Sequence, residues 1–301
     1  MNELISSFVN MEPLHKLWQL DGPAYLFTFL VILVLAKLLY DLFTPFKLNR
    51  QLTEVDNKAV AVSFSGYMFG IGIVLLGVIA TEPGTEAVIA SRQDLYNDLF
   101  NTVVWSLIGI ILLNIARIVN DHLLLGKFNN VKELVQDRNV GTGAVEWGSY
   151  VGSALIIRAA LFGEDVSFWV GLASTLLYFV LGQLGFIIFG WIYQLISRFD
   201  LYAEIERDNV SAGVAFGASL TAIAILLSGF IIKYDSIPGF IVWFVMSLFF
   251  LVVSRYLVDK LILPGSLLDE EISRDQNWGA ALVEGGVAIA IALFLVPAFL
   301  S

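Results

Sequence analysis

The chain has 301 residues, 58% of them hydrophobic and 15% charged, with a mean hydropathy of +0.80 and a formal net charge of −10. Soluble domains carry about 25% charged and about 45–50% apolar residues, so an ordinary soluble globular fold is excluded. The acidic balance argues against a nucleic-acid partner, which needs clustered Lys and Arg. The lack of cysteine removes disulfides and thiolate chemistry, and His15 and His122 are too few for a histidine metal centre.

Residues 1–23 lack the basic start and clean apolar stretch of a cleavable leader. They read as an interfacial amphipathic segment, with Leu14, Leu17 and Trp18 toward lipid. Eight apolar segments follow, near 24–43, 59–80, 99–124, 140–162, 168–196, 210–232, 238–262 and 278–300. Each approaches the 20 or so helical residues that span about 30 Å of hydrocarbon. Helices are required because an open sheet would leave backbone groups unpaired in lipid. The expectation is an all-α, polytopic membrane bundle of about eight transmembrane helices. Pro23, Pro45, Pro83, Pro238 and Pro264 fall at segment ends, where proline is tolerated.

The connections alternate. Polar linkers at 44–58, 125–139, 197–209 and 263–277 join the two helices of each pair, and acidic loops at 81–98, 163–167 and 233–237 separate the pairs. Of the 17 basic residues, all but Lys16, Arg92, Arg158 and Lys233 lie in or beside the within-pair linkers. The positive-inside rule places those linkers in the cytoplasm and both termini outside.

Each within-pair linker ends at a polar junction: Asp56-Asn57, Arg138-Asn139, Asp208-Asn209 and Gln276-Asn277. Asp56, Asn57, Asn139, Asp208, Asn209 and Asn277 read as N-caps of the helices that follow, accepting hydrogen bonds from exposed N–H groups. The chain is thus one two-helix unit written four times. Because every unit has two spans, all copies share one orientation, and any pseudo-symmetry axis runs along the membrane normal.

The third linker, ending Glu204-Ile205-Glu206-Arg207-Asp208-Asn209-Val210-Ser211-Ala212-Gly213 before a small-residue helix, resembles the YjfL-like family (domain of unknown function 350). The other copies keep the pattern with substitutions at the junction. The resemblance covers nearly the whole chain as two tandem units, 24–163 and 164–301. It implies a bacterial inner-membrane protein with a suspected link to envelope stress or ion movement, and it names no substrate.

First helices of each pair are bulky, whereas second helices carry small residues such as Gly66 and Gly70, Gly148 and Gly152, Gly213 and Gly217, and Gly285 and Gly286. Small residues at this spacing let membrane helices approach closely. An inner cluster of second helices is expected, with first helices outside against lipid.

Seven residues beyond Asn139 and Asn277 stand Glu146 and Glu284; the same count from Asn57 and Asn209 reaches Phe64 and Phe216. Each Glu therefore lies roughly 10 Å into its helix, where an ionised carboxylate costs about 2.5–3.5 kcal/mol on insertion scales and must face protein or water. At helical spacing Glu146 shares a face with Thr142, Ser149 and Ser153, whereas apolar residues surround Glu284. These five residues form a candidate ion or proton pathway. The competing reading pairs each Glu with a basic residue of a first helix: Lys37, Arg117 or Arg255. Arg158 is expected to snorkel outward or to meet Glu164 or Asp165. Asn114 and Gln183 are expected to hydrogen-bond between helices, and Arg198, Arg207, Arg255 and Lys260 to form a basic collar at the headgroups.

The sequence has no TVGYG filter, Walker sequence, Gly-x-Ser-x-Gly elbow or His-Glu-x-x-His motif. Neither an enzyme nor a bound cofactor or metal is expected. Two functions remain. One is a small-cation or proton pathway through Glu146 and Glu284. The other is a scaffold whose repeated cytoplasmic linkers recruit a peripheral protein. Partners besides the bilayer include that protein and further copies of the chain.

Overall fold

A computed structural model describes residues 21–79, 92–162, 167–234 and 236–300. Residues 1–20 of the expected N-terminal interfacial segment, Leu14, Leu17 and Trp18 among them, and Glu164 and Asp165 lie outside the described residues, whereas residues 21–23 belong to the first long helix. Eight long helices dominate: α1 (Asp21–Phe43), α2 (Lys58–Ile79), α3 (Arg92–Val119), α4 (Val140–Leu161), α5 (Phe168–Ile196), α6 (Val210–Lys233), α7 (Ile237–Leu257) and α8 (Trp278–Leu300). Seven are long and apolar enough to cross a membrane. The eighth, α4, has 22 residues but carries Thr142, Glu146, Ser149, Ser153 and Arg158. It is shielded by neighbours on nearly every side, with α2 and α6 flanking it and α3 and α5 against it.

The second helices α2, α4, α6 and α8 pack side by side in that order, while α1, α3, α5 and α7 form a parallel row. Each of α3, α5 and α7 sits in the groove between two consecutive second helices. The small-residue helices therefore associate as expected, but as an open row of four instead of a closed inner cluster. The span of α6, inside the row, is 78% buried, and those of α2 and α8, which end it, are 50% and 39% buried.

Glycine permits this closeness. A Cβ on Gly143 would come within 2.6 Å of the Ala59 carbonyl, and one on Gly66 within 2.6 Å of the Trp147 Cα. A Cβ on Gly148 or Gly213 would strike the backbone of Gly217 or Gly141 respectively. In lipid, where apolar burial gives helices no reason to associate, such backbone approach supplies the dispersion contact that does.

All four junctions share one backbone device. Asp56, Arg138, Asp208 and Gln276 adopt left-handed φ values of 53°, 55°, 61° and 47°. That conformation suits Asp and disfavours Arg and Gln. Its persistence at all four places shows that the turn, not the residue type, is what recurs.

The next residue is the cap. The Oδ1 of Asn57, Asn139, Asn209 and Asn277 accepts from the N–H of Val60, Thr142, Ser211 with Ala212, and Ala280, at 2.9–3.3 Å. The same four side chains donate Nδ2 to an acidic or amide partner within their own linker, namely Gln51, Glu133, Glu204 and Glu271. Burial is the main cause that raises the Glu133 pKa above its ordinary value.

Three of the caps also reach forward into the following copy. Asn57 donates to the Leu134 carbonyl at 2.8 Å, Asn139 to Ile205 at 2.6 Å and Asn209 to Ile272 at 2.8 Å. Asp208 departs from expectation. Its carboxylate does not cap its own helix but accepts from Val140 and Gly141 N–H at the start of α4, at 2.9 and 3.5 Å. The left-handed turn leaves capping of α6 to Asn209, and Asp208 ties the third linker to the second unit's helix. Asp56 likewise holds the turn position while Asn57 caps α2.

Candidate functional site: two buried Tyr–Arg–Glu clusters

Glu146 and Glu284 occupy equivalent points on α4 and α8 and are 4% and 3% exposed. A matching set of side chains from two first helices surrounds each. Arg117 and Arg255 both lie 22 residues before the junction Asn of their copy. Tyr40 and Tyr193 close the α1 and α5 ends, with the carbonyls of both accepting from a hydroxyl four residues on, Thr44 or Ser197. Phe64 and Phe216, seven residues beyond the odd junctions, press on these tyrosines with ring centroids 5.0 and 5.2 Å apart.

In the second half, the Arg255 Nη1 lies 3.5 Å from Glu284 Oε1, and its Nη2 donates to Asp269 at 2.6 Å. The guanidinium also sits over the Tyr193 ring, 4.8 Å from its centroid, a cation–π placement. The Tyr193 hydroxyl donates to Glu284 Oε1 at 3.2 Å. Glu284 Oε2 has no hydrogen-bond partner. A cavity of 20 Å³, lined in part by Tyr193, Ser219, Arg255 and Glu284, has room for a water.

The first half uses the same parts in another arrangement. Arg117 pairs with Asp121 at 3.3 Å and donates to the Phe43 carbonyl at 2.6 Å. Glu146 Oε2 accepts from Ser63 of α2 at 2.5 Å, and its Oε1 has no partner. Arg117, Asp121, Glu146, Ser149 and Tyr150 line a second small cavity, where the Tyr150 hydroxyl and Asn120 Oδ1 are also unpartnered.

The expected residues are therefore partly assembled. Glu146 and Ser149 face one cavity, with Asn120 donating to Ser149 at 2.6 Å. Ser153 turns instead to α5, accepting from Gln183 at 3.1 Å, and the buried Thr142 hydroxyl has no partner. They do not line one stripe with Glu146, because α2, α3, α5 and α6 claim different sides of α4. The two cavities share no lining residue.

Among the suggested ion-pair partners, Arg255 meets its Glu and Arg117 takes Asp121 instead. Lys37 pairs with Asp41 at 2.6 Å, one helical turn on, and not with either Glu. Arg255, 11% exposed, is thus part of the buried cluster and not of a headgroup collar, whereas Arg198 and Arg207 are exposed. Asn114 bridges to Tyr67 and Gln183 to Ser153, as expected of inter-helix amides. Half-buried Arg158 packs against Gly77 of α2.

Sequence reasoning missed Tyr40 and Tyr193. The available signal was their spacing, 17 residues before Asn57 and 16 before Asn209.

Helices of this length and apolarity, repeated in two halves around paired buried clusters, define a multi-pass helical membrane protein made of two tandem units. The family model described as Domain of Unknown Function (DUF350) matches residues 16–161 and again 167–299, and the chain belongs to that family. It is similar to a "UPF0719 transmembrane protein" of Aquifex aeolicus, 23% identical over 268 residues, covering 86% of this chain and 93% of that protein. It is also similar to the "UPF0719 transmembrane protein YshE" of Bacillus subtilis, 25% identical over 111 residues, covering 36% of this chain and 82% of that shorter protein. No solved structure matches.

Proposed function

We propose that this membrane protein moves protons, with Glu146 and Glu284 as the groups that load and release them. The carrying observation is a charge count in the first cluster, where Asp121 and Glu146 share the cavity of a single guanidinium, Arg117. In the second cluster Asp269 and Glu284 both contact Arg255, and the exposed Arg198 lies 4.0 Å from Asp269, so the charges balance. One negative charge is therefore left over beside Arg117 in a dry interior, where it costs about 2.5–3.5 kcal/mol unless neutralised. A proton on the unpartnered Oε1 of Glu146 removes it with no change of shape, and the unpartnered Oε2 of Glu284 offers the second place where one can load. The small cavities favour a proton or one water over a hydrated metal cation.

The test is proton flux in proteoliposomes under an imposed pH gradient. The wild type is expected to conduct, and Glu146→Gln with Glu284→Gln to lose at least tenfold of that rate. An unchanged rate in the double variant defeats the proposal, as does flux that follows sodium or potassium and ignores pH.

The linkers support this reading over a scaffold. Their regularity, which suggested a docking platform, is accounted for by the junction amides that tie each linker to the next copy. The proposed setting is the bacterial inner membrane with the linkers cytoplasmic. In the Cys-free chain a single Lys47→Cys is expected to react with an impermeant maleimide only after permeabilisation. Labelling of intact cells would reverse the orientation.

A further inference from the structure

We propose that the row of second helices continues from one chain to the next, α8 of one copy docking on α2 of a second copy in the same orientation. Three internal steps, α2 to α4, α4 to α6 and α6 to α8, show what such a step consists of. The two ends of the row carry its complementary halves, and no described residue of the chain meets them.

The first half is the amide hook. Asn57, Asn139 and Asn209 are at most 1% exposed because each reaches a carbonyl in the next linker. Asn277 makes the same contacts within its own linker but is exposed, having no following copy. Counting from the junctions, the carbonyl that corresponds to Leu134 and Ile272 is that of Leu52 in the first linker.

The second half is the backward cap. Asp208 accepts from Val140 and Gly141 at the start of the preceding second helix. The first linker has the same residue, Asp56, in the same left-handed turn, and no helix precedes it in the row. Trp278-Gly279 of α8 stands where Val140-Gly141 stands in α4. The α8-to-α2 step thus repeats the residue pattern of the α4-to-α6 step.

The helix faces agree. Within the chain, the position nine beyond one junction meets the position eight beyond the next: Gly66 meets Trp147, Gly148 meets Gly217, and Ala218 meets Gly285. The unmatched members are Gly286, where a Cβ would find nothing within 4 Å, and exposed Ser65. Gly72, which corresponds to Ala224, also meets nothing, and Ala290, which corresponds to Gly152, is exposed. Lipid-facing positions elsewhere hold Leu, Phe and Trp. Small residues here keep the register that backbone approach needs.

Second helices run parallel, with their capped ends together, so repeating the step keeps the next chain in the same bilayer. Such a head-to-tail contact gives a ring if its rotation closes and a longer array if it does not.

The chain's lack of cysteine makes the test direct. Chains with Ser65→Cys and chains with Gly286→Cys are co-expressed and oxidised in membranes, since Cβ atoms must lie about 3.5–4.5 Å apart for a disulfide. The expected result is a dimer from the mixture, none from either variant alone, and a ladder of higher species when both changes share one chain. A second measurement is particle mass in lipid nanodiscs. Gly286→Trp should convert oligomer to monomer while its melting temperature in detergent stays unchanged. A wild type that is monomeric in nanodiscs, its end faces covered by lipid, overturns the proposal. So does a Gly286→Cys chain that crosslinks to itself as readily as to Ser65→Cys.

Discussion

Replacing Gly148 by leucine should abolish the monodisperse protein, while the same change at Gly286 should leave the yield and melting temperature of the detergent-solubilised monomer unaltered. The two glycines hold equivalent places on α4 and α8. A Cβ on Gly148 would run into the Gly217 carbonyl and Cα, and backbone cannot rotate aside as a side chain can. Overpacking a core commonly costs about 1–3 kcal/mol, and a backbone collision in mid-row should exceed that range because α4 and α6 must separate along their length. Gly286 meets nothing, so leucine there only covers exposed helix. Fluorescence-detected size exclusion with a thermal ramp reads both. A Gly148→Leu protein as stable as wild type would mean that α4 and α6 are not in backbone contact.

This contrast also marks what sequence can and cannot reveal about a repeat. The junction asparagines were legible because N-capping depends on local chain geometry, and Glu146 and Glu284 because counting from those junctions lands on them. Small residues announced close approach, but they do not name the neighbour. Row and cluster satisfy the same composition, and contacts that reach far along the chain decide between them, among them the three junction amides that reach 63 to 77 residues on.

Asp208 misled for the same reason. A residue beside a cap reads as a second cap unless its left-handed φ is known, and that φ sends its carboxylate to α4. Tyr193 was invisible for a different one: a tyrosine in an apolar helix reads as packing, and its role appears only when α5, α7 and α8 meet at Glu284.

Arg255→Met should be the most damaging change that keeps volume and helix propensity intact, and Glu284→Gln should partly repair it. Methionine fills the arginine stem's space, so the loss is electrostatic. Asp269 and Glu284, with side chains 17% and 3% exposed, lose the guanidinium that lies 2.6 and 3.5 Å from them. Removing one partner of a buried ion pair costs about 3–5 kcal/mol, because the remaining charge has no solvent. Asp269 keeps the exposed Arg198 at 4.0 Å, so Glu284 is the stranded carboxylate; neutralising it should leave the double variant less destabilised than the sum of the singles, with a coupling of about 1–3 kcal/mol.

The corresponding cycle in the first half should couple weakly, since no ion pair joins Arg117 to Glu146, Arg117 holds Asp121, and Glu146 is bonded to Ser63. Melting temperatures of the two cycles at one pH measure this. Equal coupling in both halves would remove the asymmetry, and no coupling at Arg255 would show that Glu284 is already neutral without it. If the asymmetry holds, Glu284 has a resident positive partner and Glu146 does not. The proposed proton is then needed most at Glu146, and Glu146→Gln alone should cost more flux than Glu284→Gln alone.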